Sequence, residues 1–328
     1  MKEKDIRPQD LYKKYVELCI KDTKKCFGDD KRIDIPCVAC GSNNKSFSFQ
    51  KDGFSYYECY ECSSLFQNPR PTLSAFEAFY RNSESSNYWA EVFFPATMET
   101  RRNKIFKPRV DRLIKIAKEI NVDVKKLIDV GAGFGIFLEE WQKVCPDTEL
   151  IAIEPSNFMA KECRDKGFQT EENIVEEVTN LDNYADLVVC FEVLEHVYEP
   201  LSFIKHIKKL ARPGGLVFIS TLSIDGFDLQ ILGEKSTQIS PPHHINFLSI
   251  EGFKNIFKKA GLVNINVTTP GRLDVDIIRN AISEDTIKIN NNFLSNLILN
   301  DNHAPLFQKF LAENCLSSHA WIIGKVPE

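Results

Sequence analysis

An α/β fold with a mostly parallel sheet, preceded by a small cysteine-knuckle module and a helical linker, is what this 328-residue sequence predicts. Three observations lead there. Two C-x-x-C knuckles lie near the N-terminus. From Val124 onward, short apolar runs alternate with amphipathic stretches, the rhythm of strands joined by crossover helices. The first of those runs ends in an acid and a glycine-rich turn, LIDVGAGFGIFLEE, residues 127–140.

Composition sets the outer bounds. An apolar share of 43% and a charged share of 27% are those of a globular chain long enough for one large or two smaller domains. No apolar run approaches the ~18 residues of a membrane span, and MKEKDIRPQDLYKKY lacks the apolar core of a signal peptide. A cytoplasmic protein is the expectation. A net charge of −5 argues against a general nucleic-acid binder.

Cys37, Cys40, Cys59 and Cys62 form CVAC and CYEC with eighteen residues between them, the four-thiolate zinc pattern. Gly41 supplies the backbone freedom such a turn needs, and SFSFQ and FSYYE flank KDG like a short hairpin. A zinc ribbon with a structural Zn2+ is predicted. A redox dithiol or a pair of disulfides fits a reducing compartment less well. Cysteines 19, 26, 145, 163, 190 and 315 are scattered and read as structural thiols.

The organisation follows. Residues 1–30 form a charged helical segment, 31–72 the ribbon ending in FQNPRP, and 73–122 a helical linker. Residues 123–328 form an α/β domain with a helical insertion at about 272–316. Strands are expected at 127–130, 150–153, 168–170, 187–191 and 216–220, with later ones at 263–269 and 319–326. Helices are expected over roughly 135–144, 156–166 and 200–211. Arg101 to Arg112 holds six basic residues and one acid; it reads as a solvated helix face or as a contact for a substrate phosphate.

The turn after the first strand could hold a dinucleotide or another nucleoside cofactor. In the dinucleotide fingerprint G-x-G-x-x-G the pyrophosphate sits on free N–H groups. Here Gly131, Gly133 and Gly135 place the third glycine one residue early, and Asp129 beside the turn would repel a pyrophosphate. An acid there suits a ligand carrying an ammonium group. Ligands of an open parallel sheet bind beyond the carboxyl ends of its strands. Those ends carry Glu154, followed by Pro155, after the second strand, and FEVLEHVYEP after the fourth. Glu154 lies where a carboxylate can accept hydrogen bonds from a ribose diol.

DVGAGFGIFL, AIEPS, VVCFEVLEHVYEP, ARPGGLVFIS and PPHHINFLSIEGFKNIFKKAGL, in that order over about 127–270, resemble the class I S-adenosylmethionine-dependent methyltransferases. The resemblance implies a Rossmann-like sheet with an antiparallel last strand. It implies that Asp129, Gly131, Ala132, Gly133 and Gly135 hold the methionine end of S-adenosylmethionine. It further implies that Glu154 and Pro155 lie at its ribose, and that the motif ending at Phe191 lines the pocket. A ribbon ending in NPRP ahead of such a domain resembles bacterial sugar and surface-polysaccharide methyltransferases. That implies a small-molecule acceptor, a sugar or nucleotide-linked sugar methylated on oxygen. Sugar C-methylation is an alternative, although the longer C-terminal domain of those enzymes is missing. Docking of RNA or protein through the ribbon is another, set against five Lys/Arg and four Asp/Glu over 31–72.

A hydroxyl acceptor benefits from a base, and imidazole titrates near neutrality. His243 and His244 lie in a proline-rich loop past the fifth strand. Alternation of side chains along an extended segment points at most one of them inward, and His244 occupies the motif position. Its turnover is expected to rise with pH near the ordinary imidazole value. His196 sits in LEHV, with Glu192 expected one helical turn earlier on the same face; it orients substrate or caps beneath the pocket. A metal site on two of these histidines is not expected, because no carboxylate stands at ligand spacing in the sequence. His206, His303 and His319 read as residues without a role. The helical insertion shapes the acceptor pocket or forms a homodimer contact.

Overall fold

The computed structural model describes residues 1–28 and 31–328. Asp29 and Asp30, which close the expected N-terminal helical segment, lie outside the described residues. Three strands come from the knuckle region: β1 (Lys45–Lys51), β2 (Phe54–Cys59) and β3 (Leu65–Gln67). The large sheet takes β4 (Lys126–Val130), β5 (Glu149–Ile153), β6 (Gln169–Glu171), β7 (Ala185–Phe191) and β8 (Ala211–Leu222). After the short β9 (Asn246–Phe247), it is completed by β10 (Val263–Thr268) and β11 (His319–Lys325).

The large sheet has seven strands in the order β10-β11-β8-β7-β4-β5-β6. Strands β4 to β8 run parallel, while β11 is antiparallel to both β8 and β10. The order reverses between β4 and β7, since the chain moves outward through β5 and β6 before returning beside β4. The crevice at that switch point is where an open α/β sheet places its ligand. Strand bounds match the sequence expectation to within a residue or two, except that β7 and β8 begin earlier. Ala211, expected as the last helical residue, already pairs with Ala185 ahead of an irregularity that ends at Leu216.

Both faces of the sheet are covered, which is why its strands read as unbroken apolar runs. Ile128, Val188, Cys190 and Val217 pack on one side with Ile204, Phe253 and Ile256. Leu127, Leu187, Val189 and Phe218 pack on the other with Val110, Leu113, Phe137 and Trp141. The period-two alternation along each strand feeds two cores instead of one core and solvent.

The knuckle strands do not form a free-standing bead. Their sheet runs β9-β3-β2-β1, so its fourth strand is donated by the loop that follows β8. Phe54, Tyr56 and Leu65 share a core with Phe27 of the helix Gln9–Phe27, with Phe76 and Phe79 of the helix Leu73–Asn82, and with Ile245 and Phe247. Residues 89–106 contain two single π-helical turns, Trp89–Phe93 and Arg102–Phe106, within an otherwise α-helical run. Hydrophobic periodicity does not register such a change of pitch. The expected insertion is three helices, Asp274–Ser283, Asn292–Leu299 and His303–Glu313, packed on Leu232. Among the described residues, no helix is long and apolar enough to cross a membrane.

Candidate functional site

The turn after β4 is a cradle of backbone. Gly131, Gly133 and Gly135 all have positive φ, a conformation L side chains rarely adopt. At Gly131 a Cβ would also fall 2.7 Å from Cγ2 of Val193, so the turn and the loop after β7 touch. The Gly131 N–H donates to the Ile153 carbonyl, and Ala132 makes a longer bond to the same oxygen. One Glu154 oxygen accepts from Gly133 N–H at 2.8 Å and the other from Ser156 N–H at 2.9 Å. Each oxygen keeps a second lone pair for a ligand hydroxyl. Burial pushes the Glu154 carboxyl up, against the pull of those two bonds. Pro155 is exposed at the rim.

Asp129 is buried, and its Oδ1 has no protein partner. Burial is the main force that pushes its carboxyl up to about 8, beyond what Arg109 offsets. A buried oxygen with no donor beside a side-chain-free cradle fits an ammonium-bearing ligand and does not fit a pyrophosphate. Phe191 points elsewhere: its ring packs on Phe137 and Phe218 beneath the Arg109 guanidinium, inside the core. The residue reaching the cleft from the end of β7 is its neighbour, Glu192.

Glu192 and His196 do not share a helical face. Glu192 has φ of 54°, and only Leu194–His196 forms a single 3-10 turn. Glu192 accepts from Arg109 Nη2 at 3.0 Å and from Ser220 Oγ at 2.6 Å, and its other oxygen lies 3.7 Å from His319 Nδ1. Burial alone would raise its carboxyl, but His319, Arg109 and the Ser220 hydroxyl hold it below the usual range. His319 is therefore part of the cleft, against expectation; Trp321 Nε1–H donates to its Nε2 at 3.0 Å and leaves Nδ1–H toward Glu192.

Across the cleft stand the two predicted histidines. His196 Nδ1 bonds the His243 carbonyl at 3.0 Å, and His244 Nδ1 bonds the Gln238 carbonyl at 2.6 Å. A carbonyl only accepts, so both Nδ1 atoms carry the proton and both Nε2 atoms keep a lone pair. The rings meet edge to face at 4.7 Å between centroids. Burial drives His244 down to about 4 and His196 well below the ordinary imidazole value. A pH rise of activity near the ordinary value is thus not the behaviour this environment gives. His243 is buried, stacks on Tyr15 and bonds Ser85 Oγ at 3.1 Å, with its ring 6.2 Å from that of His196. The two residues lie on a turn and not on an extended strand, and both rings pack edge to face on His196.

Glu195 was not singled out by the sequence. It is buried, accepts from Thr221 Oγ1 at 2.7 Å, and is pushed up to about 8 by burial and by Glu192. One of its oxygens and one ring nitrogen each of His196 and His244 lie within 4.8 Å of one another. A carboxylate therefore does stand at ligand distance from two histidines; it is the chain neighbour of His196, which linear spacing for a helix overlooks. Asn246 was missed as well. Its Nδ2 donates to the Leu194 and Val197 carbonyls and its Oδ1 accepts from Arg70 Nη2. Ile245 N–H donates to the Glu195 carbonyl. These bonds stitch the histidine loop to the turn after β7.

The other anchor is the cysteine module. Tyr56 O–H donates to the His244 carbonyl at 2.8 Å, and Gln67 N–H donates to the Ile245 carbonyl at 2.8 Å. Arg70 is buried and also donates to the Tyr198 carbonyl. The Cys37, Cys40, Cys59 and Cys62 sulfurs all lie within 4.8 Å of one another, with Cys37–Cys62 at 3.6 Å and Cys40–Cys59 at 3.4 Å. A tetrahedron of ~2.3 Å metal–sulfur bonds has edges of about 3.8 Å, so this set fits a zinc ion. Such a set fills all four positions and leaves none for catalysis.

The basic stretch 101–112 is mostly engaged. Arg102 pairs with Glu139 and Glu140, Lys104 with Asp5, and Arg109 with Glu192, while Arg112 lies over Trp321. Lys104 and Lys107 remain exposed, while Arg102, Arg109 and Arg112 are turned toward the fold.

Residues 98–267 match the methyltransferase domain family. The chain is 38% identical over 124 residues to a ubiquinone biosynthesis O-methyltransferase of Colwellia psychrerythraea, covering 35% of this chain and 50% of that one. It is 31% identical over 155 residues to the protein of that name in Vibrio parahaemolyticus, covering 44% and 66%. The chain thus spans about half to two thirds of the length of these relatives. In fold, it is similar to a chain in the Haloferax volcanii complex of a methyltransferase activator with its methyltransferase. That match has a TM-score of 0.50 at 15% identity, covering 73% of this chain and 96% of the other.

Proposed function

Because the chain belongs to the methyltransferase domain family, we propose that it transfers the methyl group of S-adenosylmethionine to a hydroxyl of a sugar or nucleotide-linked sugar. The observation that carries this reading is the pair of Nε2 lone pairs of His196 and His244. His196 and the buried Glu195 sit in the turn that touches the glycine cradle, and His244 in the loop bonded to that turn, with a ring nitrogen of each histidine close to Glu195. A hydroxyl must lose its proton as it is methylated, and a neutral imidazole is a group that can take it. The relatives named as O-methyltransferases support an oxygen acceptor. The choice of a sugar rests on the ribbon resemblance.

In this reading the cofactor supplies an electrophilic methyl group, and the chain supplies binding and alignment. Asp129 receives the ammonium group, Glu154 the ribose hydroxyls, and the glycine turn gives the backbone clearance the methionine needs. His244 takes the acceptor proton, while His196 and Glu195 hold the acceptor oxygen in line, where positioning does most of the work. The four cysteines bind one structural zinc ion. A docking role for the ribbon on RNA or protein fits less well, because β3 is paired to β9 and the module's core faces the histidine loop.

The test is a mass-spectrometric screen of the protein with S-adenosylmethionine and a panel of nucleotide-linked and free sugars. One added methyl group on an oxygen of a panel member is the expected result. Transfer to a panel of RNA or protein substrates with none to sugars would replace this reading.

A further inference from the structure

We propose that Arg101 forms an oxyanion subsite in the acceptor cavity, so that the acceptor carries a phosphate or carboxylate group. The proposal names the substrate class of the site described above and rests on the acceptor lying beneath the histidine loop.

The cavity can be read from its walls. Tyr80, whose ring packs 6.0 Å from that of His243, keeps 41% of its surface exposed, and the Glu192 side chain, 3.7 Å from His319, keeps 40%. Both side chains meet solvent beside the histidine loop. Arg101 stands between the two ends of the cleft: its guanidinium lies over Phe94, whose ring stacks on Phe134 of the glycine turn, and over Trp89, which packs on Tyr15 beside His243.

Arg101 is half-buried and its bonding brings no counter-charge. Arg101 Nε donates to Thr97 Oγ1 and Nη2 to the Ile6 carbonyl, both at 2.9 Å, and the guanidinium lies over the rings of Trp89 and Phe94. These contacts fix its position but bring no negative charge. Among the described residues it pairs with no carboxylate, while Arg7 pairs with Glu3 and Arg109 with Glu192. Glu192 is already committed to Arg109, Ser220 and His319. A half-buried guanidinium fixed in place by neutral partners, with no acid of its own, leaves a positive charge free for an anionic ligand. Its planar fork suits phosphate or carboxylate oxygens. The two π-helical turns, Trp89–Phe93 and Arg102–Phe106, flank the residue and fall where such turns frequently mark a functional site.

The full-length chain saturated with S-adenosylhomocysteine would be titrated calorimetrically with inorganic pyrophosphate, glucuronate and methyl glucoside. We expect one of the two oxyanions to bind, pyrophosphate indicating a phosphorylated acceptor and glucuronate a carboxylated one. Arg101→Gln should weaken that oxyanion about tenfold or more, Arg101→Lys should weaken it less, and affinity for S-adenosylhomocysteine should stay unchanged. Binding of neither oxyanion would overturn the proposal, as would an Arg101→Gln effect that is absent or equal for methyl glucoside. A chain that binds the oxyanion yet transfers no methyl group would refute the activity and leave this site standing.

Discussion

At the cofactor end of the cleft, the groups that face a ligand come from two neighbouring strand ends, Asp129 to Gly135 and Glu154 to Ser156. Their geometry is held by backbone bonds between those same segments. At the acceptor end, His244 depends on Gln238 in its own loop and on Tyr56 of the cysteine module. The loop around it depends on Glu195, Arg70 and Asn246. One end is a local motif; the other is an assembly of distant segments around a shared aromatic core. The comparison predicts that damage to the cysteine module travels to the acceptor end and spares the cofactor end. It also predicts that each end responds to its own substitutions.

The largest effect is expected at the acceptor end. His244→Ala should lower turnover by about 10²–10⁴-fold, the usual worth of a general base, with affinity for S-adenosylhomocysteine unchanged. His243→Ala should leave turnover far closer to that of the parent but lower the melting temperature, since its ring fills a buried aromatic site. Equal, small losses of turnover in both would remove His244 from the chemistry.

At the cofactor end, Glu154→Gln keeps shape and loses charge-assisted hydrogen bonds worth roughly 1.5–3 kcal/mol each. Calorimetry should show affinity for S-adenosylhomocysteine falling about tenfold or more, with kcat little changed at saturating cofactor. An unchanged affinity would mean that the ribose lies elsewhere.

The smallest effects concern protons, and they again separate the ends. Asp129, pushed up to about 8, is largely protonated at pH 7, and a ligand ammonium favours the carboxylate. Binding should therefore release a proton, and affinity should rise modestly as pH rises toward 8 before levelling off. Calorimetry in buffers of different ionisation heat reads this directly, and Asp129→Asn should abolish it. His244, driven down to about 4, is neutral throughout this range. Turnover at saturating cofactor should show no histidine ionisation between pH 5.5 and 7.5, a window that lies wholly above its value. A rise centred near the ordinary imidazole value would contradict the burial assigned to it.

The same contrast explains what could be read from the sequence. The sheet, the glycine turn and the placement of Asp129 and Glu154 beside it were legible because strand ends and their turns are contiguous in the chain and their spacing is fixed by one unit of fold. Cys37 to Cys62 were legible because metal knuckles impose local spacing. Glu195, Asn246, Arg70 and His319 were not, because their partners lie 26 to 176 residues away and no periodicity relates them. Glu192 misled for a related reason: a left-handed φ at the strand end breaks the helical spacing to His196. Alternation along β7 packs Phe191 on Phe137 and Phe218 and leaves Glu192 at the strand end, which an apolar run alone does not reveal. The charge run at 101–112 carried no hint that all but a few of its members have specific partners within the fold.

The claim that the cysteine module builds the acceptor end and not the cofactor end is tested most directly by one variant read in two ways. Cys59→Ser breaks the four-thiolate set, and the same preparation is assayed for S-adenosylhomocysteine affinity and for methyl transfer. Affinity should stay within about threefold of the parent, since the cofactor-end bonds lie outside the module, and turnover should fall at least as far as in His244→Ala. Loss of both in parallel, or turnover that survives the substitution, would contradict it.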